Sequence, residues 1–176
     1  MRGKSEQGFT LIELLIVVAI ISIIAAIAVP GLLRARMTGN ETSAIASLKV
    51  TTSSQVAYSA SCGNGGYAAT YVILGTPVTA GGEAFISSDL GAAAAPKKSG
   101  YAFTLGGSVT PAAVAGPTDC LGTATVTGYY ATGIPQTFGT TGTRSFAVDS
   151  GNTIYQNNTA AAPVQPLVTT GGTPIQ

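Results

Sequence analysis

Twenty residues without a charge, Leu14 to Leu33, decide most of what this chain can become. Wound as a helix they rise about 30 Å, roughly the hydrocarbon core of a bilayer. A helix apolar on every side has no face to give to water, so lipid or protein must cover it. One carboxylate, Glu13, stands at the start of the run. A charge at that depth is costly in lipid and calls for a partner.

Two ordinary readings account for the run but not for the carboxylate. In a secretory signal peptide, Arg2 and Lys4 would be the positive n-region and Leu14 to Ile24 the h-region. Ala26-Ile27-Ala28 would then be the cleavage site. The run also suits a single-pass anchor. Neither gives Glu13 a partner. Helical patterning also continues past Pro30, where a signal peptide should hand over to a mature domain.

The stretch Gly8-Phe9-Thr10-Leu11-Ile12-Glu13-Leu14-Leu15-Ile16-Val17-Val18-Ala19-Ile20-Ile21 resembles the class III signal sequence of type IV pilins and pseudopilins. That resemblance implies a leader, residues 1–8, cut between Gly8 and Phe9 by a prepilin peptidase on the cytoplasmic side. The apolar helix stays attached, and the same enzyme N-methylates Phe9. It also implies an assembly set of Phe9, Thr10 and Glu13. Glu13 becomes the fifth residue of the mature chain and neutralises the new amine of a neighbouring subunit. The chemistry agrees: basic leader residues favour the cytoplasm, and Gly8 lets a protease approach the backbone closely. A buried ion pair adds little net stability but penalises misplacement heavily, so Glu13 reads as a register device and not as a catalytic acid.

Composition narrows what remains. The chain has 176 residues, room for one long helix and one modest domain. Removing the leader leaves six basic and six acidic residues, so no nucleic-acid footprint is evident. There is no histidine, which removes the commonest acid–base and zinc chemistry. Asp89, Asp119 and Asp149 are scattered. Asp119 and Asp149 suggest a calcium site only thinly, because two carboxylates fall short of six to eight oxygens; exposure or capping suits them better. Lys97 or Lys98 is a poor base for a serine nucleophile. No catalytic residue, metal or cofactor is expected. Gly63-Asn64-Gly65-Gly66 lacks the Lys-Ser/Thr of a phosphate loop. Asn40-Glu41-Thr42 and Asn157-Asn158-Thr159 match the glycosylation tripeptide, which carries little weight in a bacterial-type protein. The seven tyrosines suit core and sheet packing.

Along the chain, residues 9–33 form the membrane and filament-core half of the helix, and residues 34–61 its amphipathic half. Pro30-Gly31 marks a kink in the pilins this sequence resembles; the plain alternative is a boundary between two helices. Arg34 and Arg36 sit on the exported side, against the positive-inside tendency. Ile45, Leu48, Thr52 and Val56 form a semi-apolar face that should pack on a sheet. Asn40-Glu41, Ala44, Ser47-Leu48 and Tyr58 resemble the second half of a bacterial pilin helix. Residues 62–158 form the globular unit, loop-rich to about Ser99. Strands are predicted at Tyr101–Leu105, Thr123–Thr132, Arg144–Asp149 and Thr153–Gln156, with a hairpin at Ser150-Gly151-Asn152. Residues 159–176 are a Pro/Gly/Thr-rich tail, either flexible or extended over the sheet edge, with disorder expected for its last ten residues.

Cys62 and Cys120 lie beyond the apolar run, and an exported domain with two thiols pairs them. The alternatives are two buried free thiols or a bridge between chains. Pairing would tie the helix end to mid-domain, whereas better-known type IV pilins place the disulfide loop near the C-terminus. Lys98-Ser99-Gly100-Tyr101, Tyr130-Ala131-Thr132-Gly133-Ile134-Pro135 and Gly142-Thr143-Arg144-Ser145-Phe146-Ala147-Val148-Asp149 also resemble blocks of a bacterial pilin subgroup.

The fold expected is therefore α+β, a long helix packed on a small antiparallel sheet. The resemblance implies a structural subunit of a type IV pilus. It resides first in the inner membrane and then in an extracellular homo-oligomeric filament on the cell surface. Assembly would use an inner-membrane platform driven by a cytoplasmic ATPase. A major pseudopilin of a type II secretion system is the alternative, and a secreted binding module or enzyme a remote one.

Overall fold

A computed structural model describes residues 8–167 and 172–175. Residues 1–7 of the expected leader and 168–171 and 176 of the tail lie outside the described residues. The chain divides into two compact units, Met1–Arg36 and Met37–Gln176. Helix α1, Leu11–Ser61, supplies the described core of the first and the first element of the second.

In the first unit α1 carries the uncharged run. Every large apolar side chain from Phe9 to Leu33 is exposed, as expected of a helix with no polar face. The hydroxyl of Ser22 donates to the Val18 carbonyl at 2.8 Å, so it adds no unsatisfied polar group to the run. Pro30 lies inside α1, and the helix continues across it and Gly31.

The second unit packs the rest of α1 against a six-stranded antiparallel sheet. After two short helices, α2 (Tyr71–Leu74) and α3 (Ser88–Gly91), come β1 (Lys97–Lys98), β2 (Tyr101–Gly107), β3 (Ala115–Thr118) and β4 (Ala124–Val126). The remaining strands are β5 (Tyr129–Pro135), β6 (Ser145–Asp149), β7 (Ile154–Asn157) and β8 (Thr173–Pro174). The sheet order is β1-β2-β5-β6-β7-β8, and β3 and β4, which lie between β2 and β5 in the chain, form a separate pair. In β2, Tyr101, Phe103 and Leu105 point inward at period two. Phe103 lies opposite Gly133. A Cβ there would meet the Phe103 ring at 3.0 Å, so glycine is what lets the ring lie on the strand. Tyr58, Tyr71, Tyr101, Tyr129, Phe103 and Phe146 fill the core.

Three expectations change. The Thr123–Thr132 strand is two strands, because its halves serve different partners: β4 pairs with β3, and β5 with β2 and β6. The buried stripe of α1 is Glu41, Ala44, Ser47, Leu48, Thr51, Ser54, Gln55 and Tyr58, while Val56 is exposed. Hydrogen bonding sets that face together with the core packing of Ala44, Leu48 and Tyr58. Gln55 makes a two-way bond with Ala68, accepting its N–H at 2.9 Å and donating to its carbonyl at 2.8 Å. Ser54 donates to the Phe85 carbonyl at 2.7 Å. Lastly, part of the tail is ordered over the sheet edge. Leu167 is buried, and Thr173 and Pro174 pair with Gln156 and Tyr155.

Candidate functional site

The N-terminal site is built by the helix start. Gly8, Phe9 and Thr10 precede the helix and are exposed, Phe9 at 85%. Thr10 occupies the cap position. Its backbone N–H donates to Glu13 Oε2 at 2.9 Å and its hydroxyl to the same oxygen at 2.6 Å. In return the Glu13 N–H donates to Thr10 Oγ1 at 3.3 Å. This is a capping box, and it satisfies reciprocally two donors that a helix start leaves open. The T-x-x-E spacing before an apolar run was the available signal; the resemblance placed Thr10 and Glu13 in one assembly set without pairing them as a cap. Glu13 therefore has a partner inside its own chain.

At the other end of α1, Tyr58 and Cys62 meet the loop before β4. Cys62 and Cys120 form a disulfide with Cα atoms 4.9 Å apart, and the Cys120 N–H donates to the Cys62 carbonyl at 2.8 Å. Tyr58 donates its hydroxyl to Asp119 Oδ2 at 2.7 Å, while Oδ1 accepts from the N–H groups of Leu121 and Thr123. Asp119 is thus a buried capping residue, not an exposed one. Burial would raise its pKa, but the bonds from Tyr58, Thr123 and Leu121 outweigh burial and hold it below the usual carboxylate range. Burial, reinforced by Asp119, pushes the Tyr58 phenol up.

A third cluster fixes α1 to the sheet at Glu41. Its Oε1 accepts from the Thr143 N–H at 2.8 Å and the Thr143 hydroxyl at 3.0 Å. Its Oε2 accepts from Arg144 Nε at 2.8 Å and lies 2.7 Å from Nη2. Nη1 of Arg144 reaches Gln156 at 2.7 Å, and the guanidinium carbon stands 5.6 Å from the Phe146 ring centre. Burial works against the Glu41 charge, but the bonds from Thr143 and Arg144 hold its pKa below normal. Sequence reasoning placed Glu41 and Arg144 in two separate resembling blocks without pairing them. Neither block alone shows that a strand start and a helix turn share one carboxylate.

The other polar candidates are occupied locally. Asp149 Oδ1 accepts from the Gly151 N–H at 2.9 Å, and Asp89 pairs with Lys98 at 2.5 Å. Asn40 Nδ2 donates to the Thr141 carbonyl at 2.9 Å. The N–H groups of Gly63, Gly65 and Gly66 donate to Tyr58, Ser59 and Gly63 carbonyls, closing the helix end instead of facing a phosphate.

Residues 3–29 match the family described as the prokaryotic N-terminal methylation motif. With the long apolar helix and the antiparallel sheet, that motif supports a type IV pilin. Over 39 residues the chain is 59% identical to the type IV wide pilus major component PilA4 of Thermus thermophilus. That match covers 22% of this chain and 30% of the relative, so the chain spans under a third of the relative's length. No solved structure matches the chain.

Proposed function

We propose that this protein is a structural subunit of an extracellular type IV pilus. The observation that carries this reading is the uncharged helix segment from Leu14 to Leu33, bare on all sides, with a non-helical, exposed Gly8-Phe9 bond ahead of the helix. Prepilin peptidase cuts after Gly8, removing the 1–8 leader, and methylates the Phe9 amine. Subunits held in the inner membrane by residues 9–33 then exchange lipid for neighbouring helices as the platform and its ATPase draw them into a homo-oligomeric fibre on the cell surface. Pro30 and Gly31 give the helix its weak point for bending on entry. Glu13 leaves Thr10 and accepts the methylated amine of a neighbour. The pair selects axial register, since an unmatched buried charge is heavily penalised.

The test is the intact mass of the protein in a sheared, washed surface fraction. Residues 9–176 plus one methyl, less two hydrogens, is the expected mass. A chain beginning at Val29 overturns the reading in favour of ordinary secretion. The methylated form held wholly in membranes, with secretion of other proteins blocked by its loss, overturns it in favour of a pseudopilin. Glu13→Ala is expected to be cleaved normally and to yield few fibres; wild-type yield would remove the register role.

A further inference from the structure

We infer that the groove between α1 and the β7–β8 edge is a socket for the 76–83 loop of a second copy of this chain, with Lys49 meeting Glu83. The inference rests on the filament reading above. The groove has a volume of about 430 Å³, with Ile45, Lys49 and Thr52 on one wall and Ile154 and Ile175 on the other. Three isoleucines and one ammonium group suit an apolar segment that carries a single carboxylate.

Such a segment exists in the chain. Residues 76–83 are exposed without interruption and include Pro77, Val78 and one charge, Glu83. The other described carboxylates of the second unit are engaged: Glu41 with Arg144, Asp89 with Lys98, Asp119 with Tyr58, and Asp149 with Gly151. Among the described residues Lys49 and Glu83 have no ion-pair partner. On a surface with so few charges, an exposed pair selects partner and register more than it adds affinity.

The placement supports the occupant. The loop joins α2 to α3, and α3 lies against β1, one edge of the sheet. The groove borders β7 and β8, at the other edge. Six strands put those edges about 24 Å apart, so loop and groove are different patches of the surface. Joining two different patches makes a heterologous contact, which repeats head to tail into a ring or an open filament, not a two-fold dimer.

The experiment treats purified surface fibres with a water-soluble carbodiimide, which joins a lysine amine to a carboxylate in contact as an amide and itself leaves as the urea, taking up the water of condensation. Denaturing gels and mass spectrometry of the digest then read the product. We expect a subunit ladder containing a Lys49–Glu83 cross-linked peptide. That peptide should be lost in Lys49→Glu and in Glu83→Lys, and regained in the double reversal. Wild-type fibres that never yield it, or a double reversal that fails to regain it while fibres still form, overturn the socket and leave the pilus reading intact. Absence of fibres from the wild type overturns the pilus reading itself, and the socket with it.

Discussion

The two units of this chain solve the problem of burying apolar surface in opposite ways. From Leu14 to Leu33 the helix is uncharged and bare, Ile27 at 77% exposed, and the carboxylate that precedes the run, Glu13, is bonded to Thr10. From Glu41 to Tyr58 one face of the same helix is covered, and five of its eight buried residues, Glu41, Ser47, Thr51, Ser54 and Gln55, are polar or charged. The first segment leaves its contacts to be made by other molecules, lipid or neighbours. The second has completed the contacts of its buried face within the chain. A single helix can therefore be unfinished at one end and locked at the other, and the boundary follows from which residues find partners inside the protein.

That contrast can be tested from its largest effect down. All seven tyrosines belong to the second unit, so tyrosine near-ultraviolet circular dichroism of the detergent-solubilised chain reports on that unit alone. Replacing Cys62 and Cys120 by serine is expected to destabilise it by about 4 kcal/mol, the chain-entropy value for a loop of 58 residues, seen as a lower urea midpoint. An unchanged midpoint would show that the closed loop adds nothing. Gln55→Leu strands the N–H and carbonyl of Ala68 and is expected to cost about 2 kcal/mol in the same assay. A neutral result would mean that the polar seam is not what holds helix to sheet.

Acid should act on the seam as well. The Glu41 pKa is depressed in the fold, so its stabilisation is complete above the unfolded value of about 4.3 and fades as pH falls through the folded value. Asp119 is depressed too and shares the window. The urea midpoint should fall below about pH 4 in the wild type and fall less steeply in Glu41→Gln. Equal slopes would detach Glu41 from the acid response. Thr10→Val removes a cap worth about 1 kcal/mol at the helix start. It should speed amide exchange in the first turn while the tyrosine-reported midpoint stays fixed. The smallest effect belongs to Val56→Ala, within about 0.5 kcal/mol, as an exposed position should behave.

Val56 also shows how far the sequence could be read. The bare half of the helix was legible because twenty uncharged residues admit few structures. The motif before them was legible because its order is long and specific. Strands β2, β6 and β7 followed from alternation and turn residues. The buried face of the helix did not, because an apolar-period search passes over Glu41, Thr51, Ser54 and Gln55, whose partners are 13 to 103 residues away in sequence. Burial there depends on partners that local patterning cannot supply. The same reason hid β8: Thr173-Pro174 has no strand signature of its own, and only the open edge of β7 makes it one.

A polar seam resists sliding in a way that a greasy one does not. Two apolar surfaces shifted by one helical turn, about 5.4 Å, meet new apolar partners and lose little. A helix whose carboxylate, amide and hydroxyl groups each engage one backbone or guanidinium group at a fixed height finds nothing equivalent one turn along. Pulled along the axis of α1, the second unit would have to break the bonds at Glu41, Ser54, Gln55 and Tyr58 together, with the Cys62–Cys120 bridge holding the far end. Shear strength, more than thermodynamic stability, is what this arrangement secures for a domain that hangs from its helix.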